Sequence, residues 1–141
     1  MKREIKFRAW EKTEKKMGVV EVLTDQGCFI LGITPGKDTY LNGGKTIVVA
    51  PTDGRFVPFQ ECELMQFTGL KDLNGKEIYE GDIITSKLYP FQDNYCHDIY
   101  FDEAEFRVRW TMFRLSEVFE HPNHNVEVIG NIYENPELLN T

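Results

Sequence analysis

The first twenty-three residues alternate in a way that indicates a β-hairpin. Residues 5–10 place apolar side chains between basic ones, and a period of two is typical of a strand with one buried face. The polar residues 11–16 interrupt this pattern, and the largely apolar residues 17–23 can form a returning strand. The pattern therefore predicts an N-terminal hairpin whose Phe7 and Val19 side chains point into the core.

Short apolar runs separated by glycine and proline continue through the first half of the chain. Residues 28–33 are mostly apolar and residues 46–49 are mostly β-branched, so both stretches favour strands. Between them, residues 35–46 contain a proline and several glycines, which predicts a loop. In residues 60–68 the apolar segment is too short for periodicity to separate a strand from a helix.

The clearest turn lies in the middle of the chain. Asn74-Gly75 is the strongest short hairpin signal, because both central residues of a type I′ turn need a positive φ. Residues 70–79 are therefore predicted to form a hairpin. Just after it, Gly81 permits a tight turn, and Asp82 is predicted to cap that turn by accepting backbone N–H groups.

The second half shows fewer regular patterns. Residues 86–104 are polar and aromatic without a period and predict a long loop, whereas residues 106–110 alternate and predict a strand. Residues 112–119 suit either a strand or a helical turn. Residues 126–133 predict a last strand, and an asparagine followed by a proline at the start of residues 135–139 predicts a terminal helical turn. The fold class predicted is mainly β with minor α, built from short antiparallel strands.

The length and composition allow one domain or two very small ones. The chain has 141 residues, of which 41% are hydrophobic and 13% aromatic, enough apolar mass to form a core and to exclude wholesale disorder. A soft boundary predicts an N-terminal β-hairpin and β subdomain over residues 1–62 and a β-barrel subdomain over residues 63–141. A single composite domain is the alternative.

Charge is distributed unevenly along the chain. The net charge is −7, from 16 basic and 23 acidic side chains, which argues against a protein that coats phosphate backbones. Residues 1–16 nevertheless carry seven basic and three acidic side chains, a balance of +4, and the remainder carries −11. The candidate binding or assembly residues are therefore Lys6, Arg8, Trp10, Lys12, Lys15 and Lys16.

These basic residues have two interpretations. Together with Trp10 they could hold phosphates and stack a nucleobase. They could equally face an acidic part of the same chain or of a second copy, and lysines on an edge strand also prevent aggregation. The sequence leaves both interpretations open.

Cysteine and histidine give little sign of a metal or a redox site. Cys28, Cys62 and Cys96 are odd in number and form no CxxC, which predicts reduced thiols in the cytoplasm. Their equal spacing of 34 residues is interpreted as coincidence. Cys96-His97 and the pair His121 and His124 lack the spacing of structural zinc ligands, so no metal and no cofactor are predicted.

Motifs of targeting and catalysis are not found in the sequence. No apolar leader is visible, and the longest aliphatic run, residues 47–50, is far shorter than a membrane span. A soluble protein without a membrane partner is expected. The sequence has no nucleophile elbow, no P-loop and no dinucleotide fingerprint, so an enzyme is not expected.

Three strings of residues carry a family resemblance. The first is IKFRAW at residues 5–10, followed by Lys16-Met17. The second is MQFTGLKD at residues 65–72, which continues as NGKEIYEGDII at residues 74–84, and the third is VIGNIYENPELL at residues 128–139. Together they resemble the YopX family of phage and prophage proteins over essentially the full length.

The resemblance implies a phage- or prophage-encoded protein with a mainly β fold, whose C-terminal half resembles a small SH3-like barrel and which self-associates. It implies no reaction and supplies no catalytic residues. Residues 24–60 and 86–125 lie outside the matching strings, so their roles are unconstrained.

Three hypotheses follow. The leading one is a non-enzymatic, oligomeric binding or assembly module in the cytoplasm of the bacterial host, with a phage or host protein as a further candidate partner. The alternative is a nucleic-acid-binding protein that uses the basic N-terminal hairpin. A small-molecule or metal-dependent enzyme rests only on His97, His121 and His124.

Overall fold

The computed structural model describes the following parts of the chain: residues 4–33, 39–41, 45–47, 54–86, 96–111, 113–120 and 125–140. The described residues are mainly β, as predicted, and the strand pairings are antiparallel. The strands are β1 (Phe7–Glu11), β2 (Lys16–Leu23), β3 (Gly27–Leu31), β4 (Thr39–Leu41), β5 (Lys45–Ile47), β6 (Gly54–Pro58), β7 (Cys62–Lys71), β8 (Glu77–Tyr79), β9 (Asp82–Thr85), β10 (His97–Asp102), β11 (Glu105–Val108) and β12 (Glu127–Asn131). The helix α1 spans Leu115–Glu120, and short 3₁₀ helices span Phe59–Glu61 and Pro136–Asn140.

The described residues fall into two compact units. The first unit is Lys6–Met65, and the second unit is Gln66–Thr141 with the residues before Lys6. The predicted division after residue 62 stays a prediction, because two compact units in one structure do not establish that each folds alone.

The sheet of the first unit is strongly curled. Its strands run in the order β6-β3-β2-β1-β7, so two strands lie between β3 and β7. Yet the sulfur atoms of Cys28 on β3 and Cys62 on β7 are only 3.9 Å apart. The sheet therefore bends until β3 and β7 approach each other across an apolar interior, whose buried members are Ala9, Cys28, Ile30, Ile33, Val57 and Cys62.

A close approach of two backbones contributes to this curl. A Cβ atom added to Gly18 on β2 would clash with the carbonyl oxygen of Leu31 on β3. Glycine therefore permits the approach of β3. The register between the strands also shifts between Val20 and Val22, and such a bulge increases the local twist.

The prediction of a loop over residues 35–46 is wrong in part. Strand β4 lies inside this range and pairs with β5, so that Tyr40 is opposite Thr46. The hairpin was missed because β4 is only three residues long. The predicted strand over residues 46–49 is found only as the end of β5, and residues 48–49 lie outside the described residues.

The second unit has a four-stranded sheet in the order β11-β10-β9-β12, and the C-terminal part of β7 pairs with β8. Among the described strands no sheet closes, so the SH3-like barrel expected for this half is not confirmed. The buried apolar core consists of Ile78, Ile84, Ile99, Val108, Leu115, Val118, Val126 and Val128.

Two predictions for the second unit need correction. The sequence predicts a long loop over residues 86–104, but residues 97–102 of this range form β10, which pairs with both β9 and β11. The strand predicted over residues 106–110 ends at Val108, and Trp110 adopts a positive φ of 64° and is 87% exposed. Of the two alternatives predicted for residues 112–119, a strand or a helical turn, the structure has the helix α1.

The predicted turn at Asn74-Gly75 exists, but it is not type I′. Only Gly75 of the two has a positive φ, at 82°. Its N–H donates to the Asp72 carbonyl oxygen (3.0 Å), while the Asp72 N–H donates to the Lys76 carbonyl oxygen (2.8 Å). These bonds and the left-handed glycine indicate a three-residue loop with a bulged glycine.

The side chain of Asp72 stabilises this turn through hydrogen bonds to the backbone. Its Oδ1 accepts the N–H groups of Asn74 (2.8 Å) and Lys76 (2.9 Å). Its Oδ2 accepts the N–H of Val128 on β12 at 2.9 Å, 56 residues away. Burial alone would raise the pKa of Asp72, but the three backbone hydrogen bonds outweigh burial and lower this pKa below its ordinary value.

The turn that follows has the predicted cap. Gly81 has a φ of 82°, and Asp82 Oδ2 accepts the N–H of Tyr79 at 2.8 Å. The backbone of Gly81 also donates to the carbonyl oxygen of Ile99 and accepts from the N–H of Ile132, both at 2.8 Å. The turn before β9 is thereby hydrogen-bonded to β10 and to the residue that follows β12, the two strands that flank β9.

We predict that Asp72→Asn lowers the free energy of unfolding by about 1–3 kcal/mol, because an amide nitrogen would face a backbone N–H donor. The pKa of Asp72 is depressed on folding. Its contribution is therefore complete above the unfolded pKa of about 4 and is lost as the pH falls toward the folded value. Urea unfolding between neutral and acidic pH should show a smaller loss of stability in the variant.

The matched control for this prediction is Asp102→Asn, which changes an exposed carboxylate on β10. It should leave both the stability and its pH dependence nearly unchanged. Equal acid sensitivity of the wild type and Asp72→Asn would contradict the role given to this carboxylate.

Candidate binding surface

The β1–β2 hairpin divides its side chains between two faces of the sheet. Residues directly opposite each other in an antiparallel pair share a face. Ala9 and Glu11 are 0% exposed and point to the interior. Arg8 is opposite Val19 and Trp10 is opposite Met17, and these pairs lie on the other face.

The predicted inward orientation of Val19 is therefore wrong. Val19 is 57% exposed, because the register places it opposite Arg8 rather than opposite Ala9. Phe7 alternates with Ala9 and Glu11 on the inner side and is half-buried.

The same outer side continues onto the neighbouring strands. The register shift in β2 places Val22 opposite Phe29, and Phe29 is in turn opposite Phe56 on β6. Ile30, the neighbour of Phe29, belongs to the buried core, so Phe29 must point the other way. We call this side the outer face and define it by Arg8, Trp10, Met17, Val19, Val22, Phe29 and Phe56.

The outer face is largely apolar and partly open to solvent. Val19 is 57% and Val22 41% exposed, while Phe29 is only 6% exposed. Arg8, Trp10 and Met17 are half-buried. An apolar surface with an arginine and a tryptophan has the composition of a protein interface.

The other predicted site residues lie elsewhere on the hairpin. Lys12, Lys15 and Lys16 are exposed at the turn or its edge, and Lys6 immediately precedes β1. The structure thus places two of the six predicted residues, Arg8 and Trp10, on the outer face and the three other lysines at the turn, with Lys6 ahead of β1.

The basic turn is balanced by acidic neighbours. Lys12 Nζ lies 3.2 Å from a carboxylate oxygen of Glu63 and donates to the Gln60 carbonyl oxygen at 3.4 Å. Lys16 is directly opposite Glu11 in the register, but the carboxylate of Glu11 is paired with Arg55. The contacts of Lys12 weaken the turn as a site for phosphate.

Glu11 is a buried ion that sequence reasoning placed in the turn. Its Oε1 lies 3.3 Å from Arg55 on β6, and its carboxylate accepts the N–H groups of Thr13 (3.0 Å) and Glu14 (2.5 Å). The pair links β1 with β6, from which it is separated by β2 and β3 in the sheet. The period-two pattern through Phe7, Ala9 and Glu11 could have revealed its inward direction.

Each unit also has one notable cleft. In the first unit a cleft of about 560 Å³ is lined by Asp25, Gln26, Phe56, Pro58, Phe59 and Gln60. In the second unit a cleft of about 390 Å³ includes Phe101, Phe106 and an ion pair between Arg114 and Glu105 at 2.8 Å.

The histidines considered as metal ligands are not brought together in the part of the chain that the structure describes. His97 Nδ1 lies 2.9 Å from the Arg109 carbonyl oxygen, and His121 and His124 lie outside the described residues. In the described part of the chain, no three His, Cys, Asp or Glu side chains are grouped to hold a metal ion. Among the same residues, no helix is long and apolar enough to span a membrane.

The fold and the surface define a two-unit, predominantly antiparallel β protein with an open apolar sheet face. The chain belongs to the YopX family: the family model described as YopX protein matches residues 6–140. It is similar to the crystal structure of protein EF1440 from Enterococcus faecalis, with 28% sequence identity and a TM-score of 0.68. That similarity covers 98% of this chain and 99% of the other. No curated protein matches the chain.

We predict that Arg55→Met lowers the free energy of unfolding by roughly 2–4 kcal/mol, because it leaves the fully buried Glu11 carboxylate without its cation. Urea unfolding measures the loss. Adding Glu11→Gln should recover part of it, since the buried charge is then removed as well.

Arg114→Met is the matched control, because Arg114 pairs with Glu105 but is 58% exposed. Exposed ion pairs contribute about 1 kcal/mol or less. If Arg55→Met were no more destabilising than this control, the buried ion pair would not be needed for the stability of the fold.

Proposed function

We propose that the protein is a non-enzymatic binding module that assembles with further copies of itself through the outer face. The carrying observation is the 57% exposure of Val19 on β2, a strand with neighbours on both sides. Strands in the middle of a sheet do not need exposed aliphatic side chains for their own pairing. A contiguous exposed apolar surface of this kind is typical of protein contact sites.

The occupant that best suits the outer face is the second unit of another copy. The first unit carries eight basic and eight acidic side chains, and the second unit with the residues before Lys6 carries eight and fifteen. The whole net charge of −7 thus belongs to the second unit. Arg8 on the outer face complements this charge, and such head-to-tail contacts produce rings when they close.

The structure changes how this contact would be made. Strands β1 and β2 lie inside a sheet, between β7 and β3, rather than forming a separate arm. The proposed assembly therefore packs a sheet face on a neighbour and exchanges no strand.

The cellular setting is part of the same proposal. Membership of the YopX family supports an origin in a phage or prophage. Cys28, Cys62 and Cys96 are thiols rather than disulfides, which suits the cytoplasm of a bacterial host. A phage or host protein as a second partner, and an SH3-like arrangement of the second half, belong to the proposal as well.

We predict that the wild type elutes as an oligomer in size-exclusion chromatography with light scattering, and that Val19→Asp shifts it to the monomer. A carboxylate at the centre of an apolar contact must be desolvated, which should weaken association at least tenfold, or about 1.4 kcal/mol. The wild-type oligomer should persist at about 1 M salt, where charge interactions are screened beyond roughly 3 Å, because apolar contacts anchor it.

Thr13→Asp is the control, since it adds the same charge at the exposed turn of the hairpin. It should leave the oligomer intact. A wild-type protein that stays monomeric over the whole range of concentration and salt would refute self-assembly.

Nucleic-acid binding is the second candidate function. Arg8 and Trp10 share the outer face, where a guanidinium group can contact a phosphate while the indole ring stacks on a base. The negative charge of the second unit would restrict such binding to this face and make it sensitive to salt.

An electrophoretic shift with labelled single-stranded DNA and RNA at low salt tests this candidate. Lys6→Ala with Arg8→Ala should abolish the shift, and Trp10→Ala should weaken binding about tenfold through the lost stacking. Lys15→Ala with Lys16→Ala, which removes the same charge at the turn, should retain it. Absence of any shift with the wild type eliminates the candidate.

A further inference from the structure

Two cysteines that are distant in sequence meet in the interior of the first unit. Cys28 is 0% and Cys62 4% exposed, and their sulfur atoms are 3.9 Å apart. The two thiols are hydrogen-bonded to each other, and the Cys62 sulfur also lies 3.6 Å from the Pro58 carbonyl oxygen. Nothing in the predicted binding functions uses this pair.

We propose that Cys28 and Cys62 form an intramolecular disulfide in the folded protein when a peroxide is the oxidant. An S–S bond is about 2.0 Å long, so each sulfur has to move by about 1 Å, a distance within the reach of side-chain rotation. The two thiols lie on the inner side of the curled sheet, away from the outer face. The site is therefore independent of the proposed assembly.

The reaction balances with hydrogen peroxide as the only co-reactant. The Cys62 sulfur, the more exposed of the two, attacks one peroxide oxygen, the O–O bond breaks, and a sulfenic acid and hydroxide form. The Cys28 sulfur then attacks the sulfenic sulfur, the S–S bond forms, and a second hydroxide leaves. With the two thiol protons, the products are one disulfide and two water molecules.

Burial controls the rate of this reaction. Burial, then the neighbouring charge and the hydrogen bond of Cys62, raise the pKa of Cys28 to about 12. Burial likewise raises the pKa of Cys62, and Glu63 opposes the lowering effect of Lys12. Because the thiolate is the nucleophile, oxidation is slow at neutral pH and accelerates about tenfold for each pH unit.

The disulfide would act on the fold by joining β3 to β7 across the interior of the curled sheet. Cys28 lies on β3 and Cys62 on β7, with β2 and β1 between them. The bond closes a loop of the chain that spans 34 residues, which restricts the unfolded state. The melting temperature should rise by roughly 5–10 °C on oxidation.

The test uses the full chain with Cys96→Ser, which leaves only the buried pair. After treatment with hydrogen peroxide under native conditions, the count of thiols in denaturant should fall from two to zero. The intact mass should decrease by two hydrogen atoms, the chain should stay monomeric on a non-reducing gel, and dithiothreitol should restore both thiols. Near-ultraviolet circular dichroism verifies that the protein remains folded throughout.

The variants Cys28→Ala with Cys96→Ser and Cys62→Ala with Cys96→Ser are matched controls, each retaining one buried thiol. Neither should show the mass decrease or the rise in melting temperature. Retention of both thiols in the Cys96→Ser chain up to pH 9, or a mass gain from added oxygen in place of the decrease, would overturn the proposal.

Discussion

Backbone N–H groups at the turns between short strands have to find acceptors inside the protein, and buried carboxylates supply them in both units. Glu11 accepts hydrogen bonds from two N–H groups in the first unit. In the second unit, Asp72 accepts three such bonds and Asp82 accepts one. For Asp72 these backbone hydrogen bonds lower the pKa despite its burial. The strand registers, and with them the side chains on each face, depend on these three side chains.

The string of residues that identifies the family is explained by this requirement. Thr68 donates its hydroxyl to the Ile78 carbonyl oxygen at 2.7 Å, and Glu80 accepts the N–H of Gln66 at 3.0 Å. Together with Asp72 and Asp82, these residues hydrogen-bond the backbone around the turns between residue 65 and residue 84. The string identifies the fold and the family without identifying what the protein binds.

Local patterns predicted the elements better than their orientation. The hairpins, the last strand and the cap at Asp82 follow from neighbouring residues, and all are found. The direction of Val19 depends on the register of β1 with β2, which is fixed by burial of Glu11 against Arg55, forty-four residues further on. The meeting of Cys28 with Cys62 depends on the curl of the whole sheet, which no local pattern in the sequence predicts.

The net charge, which argues against a coat for phosphate backbones, does not describe the first unit. The first unit is neutral and the second carries all of the −7. Electrostatic repulsion decays within about 8–10 Å at physiological salt, so a partner at the outer face responds mainly to the groups near it. Those groups are an arginine, a tryptophan and exposed aliphatic side chains. In the proposed assembly, the charge of the second unit therefore selects the partner that this unit attracts, while apolar contact decides whether the outer face is occupied.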